Sequence, residues 1–111
     1  MAKIITTTNN IDNATITEYM GLVSANIVIG ANMFSDFAAS FTDIFGGQSS
    51  SYQNKLDELY EKVIIKIQQN AVAQDADAIV GIKIDFDEIA GKGKSMFMIT
   101  AVGTAVKFRY N

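Results

Sequence analysis

Between Met96 and Phe108 the chain alternates at strand period, and both alternating sets are apolar or small. Met96, Met98, Thr100, Val102, Thr104, Val106 and Phe108 fall on one face. Phe97, Ile99, Ala101, Gly103 and Ala105 fall on the other. A strand with no polar face needs a covering layer on each side. That requirement restricts the chain to a layered fold. One helical layer covers one face, and the second falls to a short helix or to another subunit. The composition agrees with a partner: 49% of the 111 residues are hydrophobic and 19% are charged. The length fits one domain, residues 1–111, and a monomer of this size buries only about two thirds of its unfolded surface.

The covering helix is visible downstream of Ser49-Ser50-Ser51, where Ser50 and Gln53 have capping-box spacing. Tyr52, Leu56, Leu59, Tyr60, Val63, Ile64, Ile67 and Ala71 recur at helical period, with Lys55, Asp57, Glu58, Glu61, Lys62, Lys66 and Gln69 mostly on other sides. The pattern predicts a helix to about Gln74, roughly 36 Å long, which lies across a sheet. A second, shorter helix is predicted over Met33–Phe45 from the spacing of Phe34, Phe37, Ala38, Phe41, Ile44 and Phe45. Asn32 is its candidate N-cap, and Gly46 or Gly47 its stop.

Three further segments read as strands. Lys3–Thr8 is short and β-branched. Ala14–Ile29 is rich in Ile, Thr and Val, and Gly21 marks either a bulge within one strand or a break between two. Regular pairing there puts Ile16, Glu18, Met20, Leu22, Ser24, Asn26 and Val28 on one face; a slip of one residue swaps the faces. Ile79–Ile89 places Val80, Ile82, Ile84 and Phe86 on one side and Lys83, Asp85 and Asp87 on the other, with Ile79 and Gly81. Asp75-Ala76-Asp77 separates this strand from the long helix, and Gly91-Lys92-Gly93-Lys94 is a turn. These elements give an α+β subunit of two layers, an antiparallel sheet packed on one long helix plus a short helix.

Several chemistries are disfavoured by residue types alone. There is no Cys and no His, which removes disulfides, thiolate and imidazole metal ligands, cysteine nucleophiles and histidine bases. The net charge is −3, and the nine Lys and Arg residues form no run, a poor match to a nucleic-acid backbone. No apolar run approaches the ~20 residues that span a bilayer, and the start of the chain lacks a signal-peptide pattern. The expectation is a cytoplasmic protein with no membrane or nucleic-acid partner, no cofactor and no enzymatic activity.

Two places could hold a ligand. Gly46, Gly47, Gln48 and Ser49 precede a helix N-terminus, where free N–H groups can hold a small anion. The segment lacks the spacing and lysine of a phosphate-binding loop, and a helix stop followed by a helix cap also accounts for it. Asp85, Asp87 and Glu88 are the densest acidic cluster. Asp85 and Asp87 share a strand face, so their carboxylates could meet a hard cation, above all if a ring of subunits repeats them. A solvated strand face beside Lys83 is the alternative. Asp36 and Asp43 share a side of the short helix and read as surface solvation.

The order of residues also matches a known pattern. Ile4-Ile5-Thr6-Thr7-Thr8 is followed by Tyr19-Met20-Gly21-Leu22-Val23-Ser24, Gly30-Ala31-Asn32, Asp43-Ile44-Phe45-Gly46-Gly47-Gln48-Ser49, Tyr52, Asp77-Ala78-Ile79-Val80-Gly81 and Gly103-Thr104-Ala105-Val106. Over nearly its whole length the chain resembles the YbjQ family of small bacterial and archaeal proteins. The resemblance implies a dodecin-like β-α-β-β subunit, with extra short strands helping assembly into a closed homo-oligomeric ring, a homopentamer that sometimes stacks as a decamer. It also carries a heavy-metal-binding label, for which this chain offers carboxylates, amides, hydroxyls, carbonyls and Met sulfur. Gln48 stands where the family usually shows arginine. The expected function is a non-enzymatic oligomeric binding or scaffold protein. The alternatives are a metal-ion-binding protein with carboxylate ligands at subunit interfaces and an enzyme working without His or Cys.

Overall fold

A computed structural model describes residues 4–30, 50–91 and 94–111, with side chains described over 4–29, 56–88 and 96–111. It is an α+β structure with strands β1 (Ile4–Ile5), β2 (Ala14–Gly30), β3 (Ala78–Gly91) and β4 (Lys94–Tyr110), and helix α1 (Ser50–Ala73). The four strands form one sheet in the order β1-β3-β4-β2. The predicted short helix over Met33–Phe45 lies outside the described residues.

The sheet is mixed, which corrects the antiparallel expectation. β2 and β3 pair antiparallel to β4, but β1 pairs parallel to β3. Among the described residues of the β-branched run Lys3–Thr8, the strand covers Ile4–Ile5. Beyond it, the Thr6 N–H donates to the Ile79 carbonyl, and the Ile82 and Gly81 N–H groups donate to the carbonyls of Thr6 and Thr8. This connection crosses the end of β3 as an irregular clasp.

α1 buries the stripe that its period predicts. Val63, Ile67 and Ala71 are fully buried against Val23, Ala25, Ile79, Ile82, Ile99, Ala101 and Ala105. The helix ends in a Schellman motif. The Ala76 N–H donates to the Ala71 carbonyl and the Asp75 N–H to the Val72 carbonyl, while Asp75 takes the left-handed conformation at φ 65°. Ala71 and Ala76, both buried, supply the apolar contact that accompanies this motif.

Bulges change which residues face the helix. In β2 the register slips between Ile16 and Glu18 and again between Tyr19 and Gly21, so Thr17 and Met20 are extra residues. The segment remains one strand, with Gly21 at φ 105° beside the second bulge. Met20 therefore packs with Val23, Ala25 and Ile27 on the helix side, not with Leu22 as regular alternation requires. In β3 the register slips between Val80 and Lys83, with Gly81 at φ 60°. Ile79 then joins Ile82, Ile84 and Phe86 under the helix, and Val80 turns to the reverse face with Ala78 and Val106. The extra residue inverts the faces on either side of it.

Gly103 lies opposite the β3 bulge. A Cβ there would stand 2.7 Å from Ile79 Cγ2 and 3.2 Å from the Val80 carbonyl oxygen. Glycine lets the bulged backbone close onto β4.

Candidate functional site

The reverse face of the sheet has two zones. At one end Ala78, Val80 and Val106 are buried beneath Ile4, Ile11, Ile16 and Phe108. The loop after β1 thus covers part of the face that the sequence assigned to a short helix or another subunit. The Phe108 and Tyr110 rings meet edge to face there, 5.1 Å apart. Beyond this cover the face is open. Leu22 is 78% exposed, Tyr19 68%, Val28 46% and Met96 44%. The pairings Leu22–Thr104, Ser24–Val102, Asn26–Thr100 and Val28–Met98 mix apolar residues with serine, threonine and asparagine on this face.

Asp85 and Asp87 border this zone. Both are exposed on β3, opposite Thr100 and Met98 of β4, while Lys83 lies opposite Val102. Strand alternation sends neighbouring Glu88, opposite Phe97, towards the helix side, so the sequence cluster of three acids is split by the sheet. Among the described residues no three of His, Cys, Asp and Glu converge as a metal site. On one copy, the Asp85–Asp87 pair is two carboxylates on an open surface. Gly46, Gly47, Gln48 and Ser49 lie outside the described residues, as do Asp36 and Asp43; α1 begins at Ser50, directly after them.

A shallow groove of about 510 Å³ lies along the β1 clasp, lined by Ile4, Thr6, Thr8, Asn9, Asn10, Ile11 and Asp12. The lining spans the segment that reads as a strand in the sequence, Lys3–Thr8, and the four residues after it. Its hydroxyls are engaged locally. The Thr6 and Thr8 hydroxyls lie 2.7 Å apart, and the Thr8 hydroxyl donates to the Asn10 carbonyl at 2.8 Å. With a single carboxylate, Asp12, the lining lacks a paired acid and base.

The electrostatics are mild. Lys107 Nζ donates to Asp75 Oδ2 at 3.1 Å. That hydrogen bond and the Asp75 charge hold the ammonium above its usual range. The pair is exposed and ties the end of α1 to β4. Among the described residues no side-chain polar atom is buried without a partner, and no helix is long and apolar enough to cross a membrane.

A family model described as "putative heavy-metal-binding" matches residues 3–109. The chain belongs to the YbjQ family. It is 44% identical over 103 residues to a UPF0145 protein of Acetivibrio thermocellus, covering 93% of this chain and 96% of that one. It is 42% identical over 106 residues to a UPF0145 protein of Pasteurella multocida, covering 96% and 99%. Among solved structures, a DUF74-family protein of unknown function from Pediococcus pentosaceus superposes with a TM-score of 0.65 at 19% identity, covering 98% of this chain and all of that one. This last likeness is one of fold.

Proposed function

We propose that this chain is a non-enzymatic subunit of a homo-oligomeric binding or scaffold protein that docks through the open reverse face of its sheet. The observation behind this reading is the exposure of Leu22, Val28 and Met96 on a face that is buried at its other end. Exposed apolar side chains along one sheet face fit an interaction surface. A second copy supplies the missing layer that two apolar strand faces demand. The dodecin-like closed ring, a homopentamer able to stack as a decamer, is the arrangement we adopt from the family resemblance. Its ligand, of unknown identity, would sit at subunit interfaces or along the central axis of the assembly.

Native mass spectrometry of the wild type beside Leu22→Glu tests this. We expect a multiple of the 12.1 kDa subunit for the wild type, five- or ten-fold for the ring, and a folded monomer for the variant. A wild-type monomer, or an unchanged assembly in the variant, overturns the docking face.

A second reading is a binding site for a hard cation made by Asp85 and Asp87 repeated around the assembly. It is favoured by their shared exposed face. Calorimetry with calcium, magnesium and manganese, comparing the wild type with Asp85→Ala/Asp87→Ala, tests it. Binding heat lost in the variant supports the site, and no heat at millimolar metal sinks it.

A further inference from the structure

β2 ends the sheet. One side of it pairs with β4, and no strand pairs with its other side among the described residues. Long edge strands invite pairing with another strand, and proteins blunt them with prolines, charges, bulges or covering side chains. β2 has 17 residues and the chain has no proline. Its two bulges disrupt the edge from Ile16 to Gly21. The regular stretch that follows, Leu22 to Asn26, is handled differently.

There the carbonyls of alternate residues are taken by side chains of α1 and the residue that follows it. Lys66 Nζ donates to the Asn26 carbonyl at 2.9 Å, Asn70 Nδ2 to the Ser24 carbonyl at 2.8 Å, and Gln74 Nε2 to the Leu22 carbonyl at 3.5 Å. The donors are four residues apart and the acceptors two apart, so helix and strand run antiparallel in register. Four helical residues rise about 6.0 Å and two strand residues about 6.8 Å. The rungs therefore drift by about 0.8 Å each. Two good bonds and a stretched third are what that drift produces.

In an antiparallel strand the residues whose carbonyls point away from the neighbour also point their N–H groups away. The same edge therefore carries the N–H donors of Leu22, Ser24 and Asn26. An incoming strand needs these donors and the three carbonyls together, and the carbonyls are occupied.

We propose that Lys66, Asn70 and Gln74 form a latch that closes the β2 edge to strand addition by a second copy of this chain. The latch withholds one edge from pairing and leaves assembly to other surfaces. It stands independently of the docking face proposed above, which involves side chains on the reverse of the sheet and not its edge.

Hydrogen exchange on the wild type in its native assembly is the first test. The Leu22, Ser24 and Asn26 amides exchange fast while the Val23 and Ala25 amides, directed at β4, exchange slowly. Uniformly slow exchange from Leu22 to Asn26 means that the edge is already paired and overturns the latch. The second test compares two triple variants by light scattering and exchange. Lys66→Met/Asn70→Leu/Gln74→Met removes the donors and keeps side-chain length at Asn70 and Gln74, one atom shorter at Lys66. Lys66→Arg/Asn70→Gln/Gln74→Lys keeps donors. We expect the donor-free variant to form larger species in which the three edge amides slow by about 10-fold or more, and the donor-retaining variant to match the wild type. Growth of both variants, no growth of a folded donor-free variant, or growth with the edge amides still fast each overturns the proposal. Should the donor-free variant fail to fold, the wild-type exchange pattern decides.

Discussion

Against α1 the sheet presents Val23, Ala25, Ile79, Ile99 and Ala105, each 5% exposed or less, whereas Leu22 and Val28, one position along the same strand from Val23 and Ile27, are 78% and 46% exposed. Both sets are apolar. The difference lies in what each side packs against, a 24-residue helix on one and a short irregular loop over one end on the other. Residue type alone therefore does not separate the interior of this domain from its open face. The layer on top does.

Substitutions in the two faces sharpen this contrast, and the largest effect is expected under the helix. Ile67 is fully buried among β-strand side chains. Ile67→Ala should cost about 2–5 kcal/mol in urea unfolding, a large part of the stability of a small domain. Leu22→Ala should cost about 0.5 kcal/mol or less in a monomeric sample, and more in the homo-oligomer we propose. Equal losses in dilute, monomeric samples would erase the distinction between the faces.

Gly103→Ala comes next. The added methyl meets Ile79 and the β3 backbone at the bulge, so a loss of about 1–3 kcal/mol is expected from overpacking. Gly21 at φ 105° has open space around its missing side chain, and alanine there carries backbone strain without a clash. Thermal melts of the two alanine variants separate these causes. A milder effect at Gly103 than at Gly21 would mean that the bulge yields easily.

The smallest effect is expected at the helix end. Asp75 holds a left-handed conformation that glycine adopts freely, so Asp75→Gly should raise the melting temperature, less the loss of the Lys107 pair. Lys107 has its pKa raised by that pair. Its contribution is therefore fully present below its ordinary value of 10.5 and is lost as pH rises through the folded value. The gain from Asp75→Gly should accordingly be larger in alkaline buffer than at neutral pH. A gain independent of pH would show that the exposed ion pair contributes nothing measurable.

The long helix was legible because Val63, Ile67 and Ala71 recur at one period over many turns, and its end was marked by Asp75-Ala76-Asp77. The two strands of the C-terminal hairpin were legible from alternation, as were the faces of Met96–Phe108. The face assignments of Met20, Ile79 and Val80 were not. A bulge is one extra residue, and nothing in residue type says which strand absorbs it until a partner such as Gly103 makes room. Of the candidate site, the exposure and shared face of Asp85 and Asp87 followed from alternation, while the separation of Glu88 from them is a consequence of the pleat.

The sequence by itself determined the period of each element, the absence of thiol and imidazole chemistry, and the surplus of apolar strand surface, because these depend on residue types and their spacing along one segment. Tertiary structure decided the parallel β1, the bulged registers, the partial cover by the β1 loop and the match of Lys66, Asn70 and Gln74 to the edge of β2. Each of these depends on the distance between segments far apart in the chain, and a match of about 6 Å between helix and strand repeats has force only once packing has set them side by side.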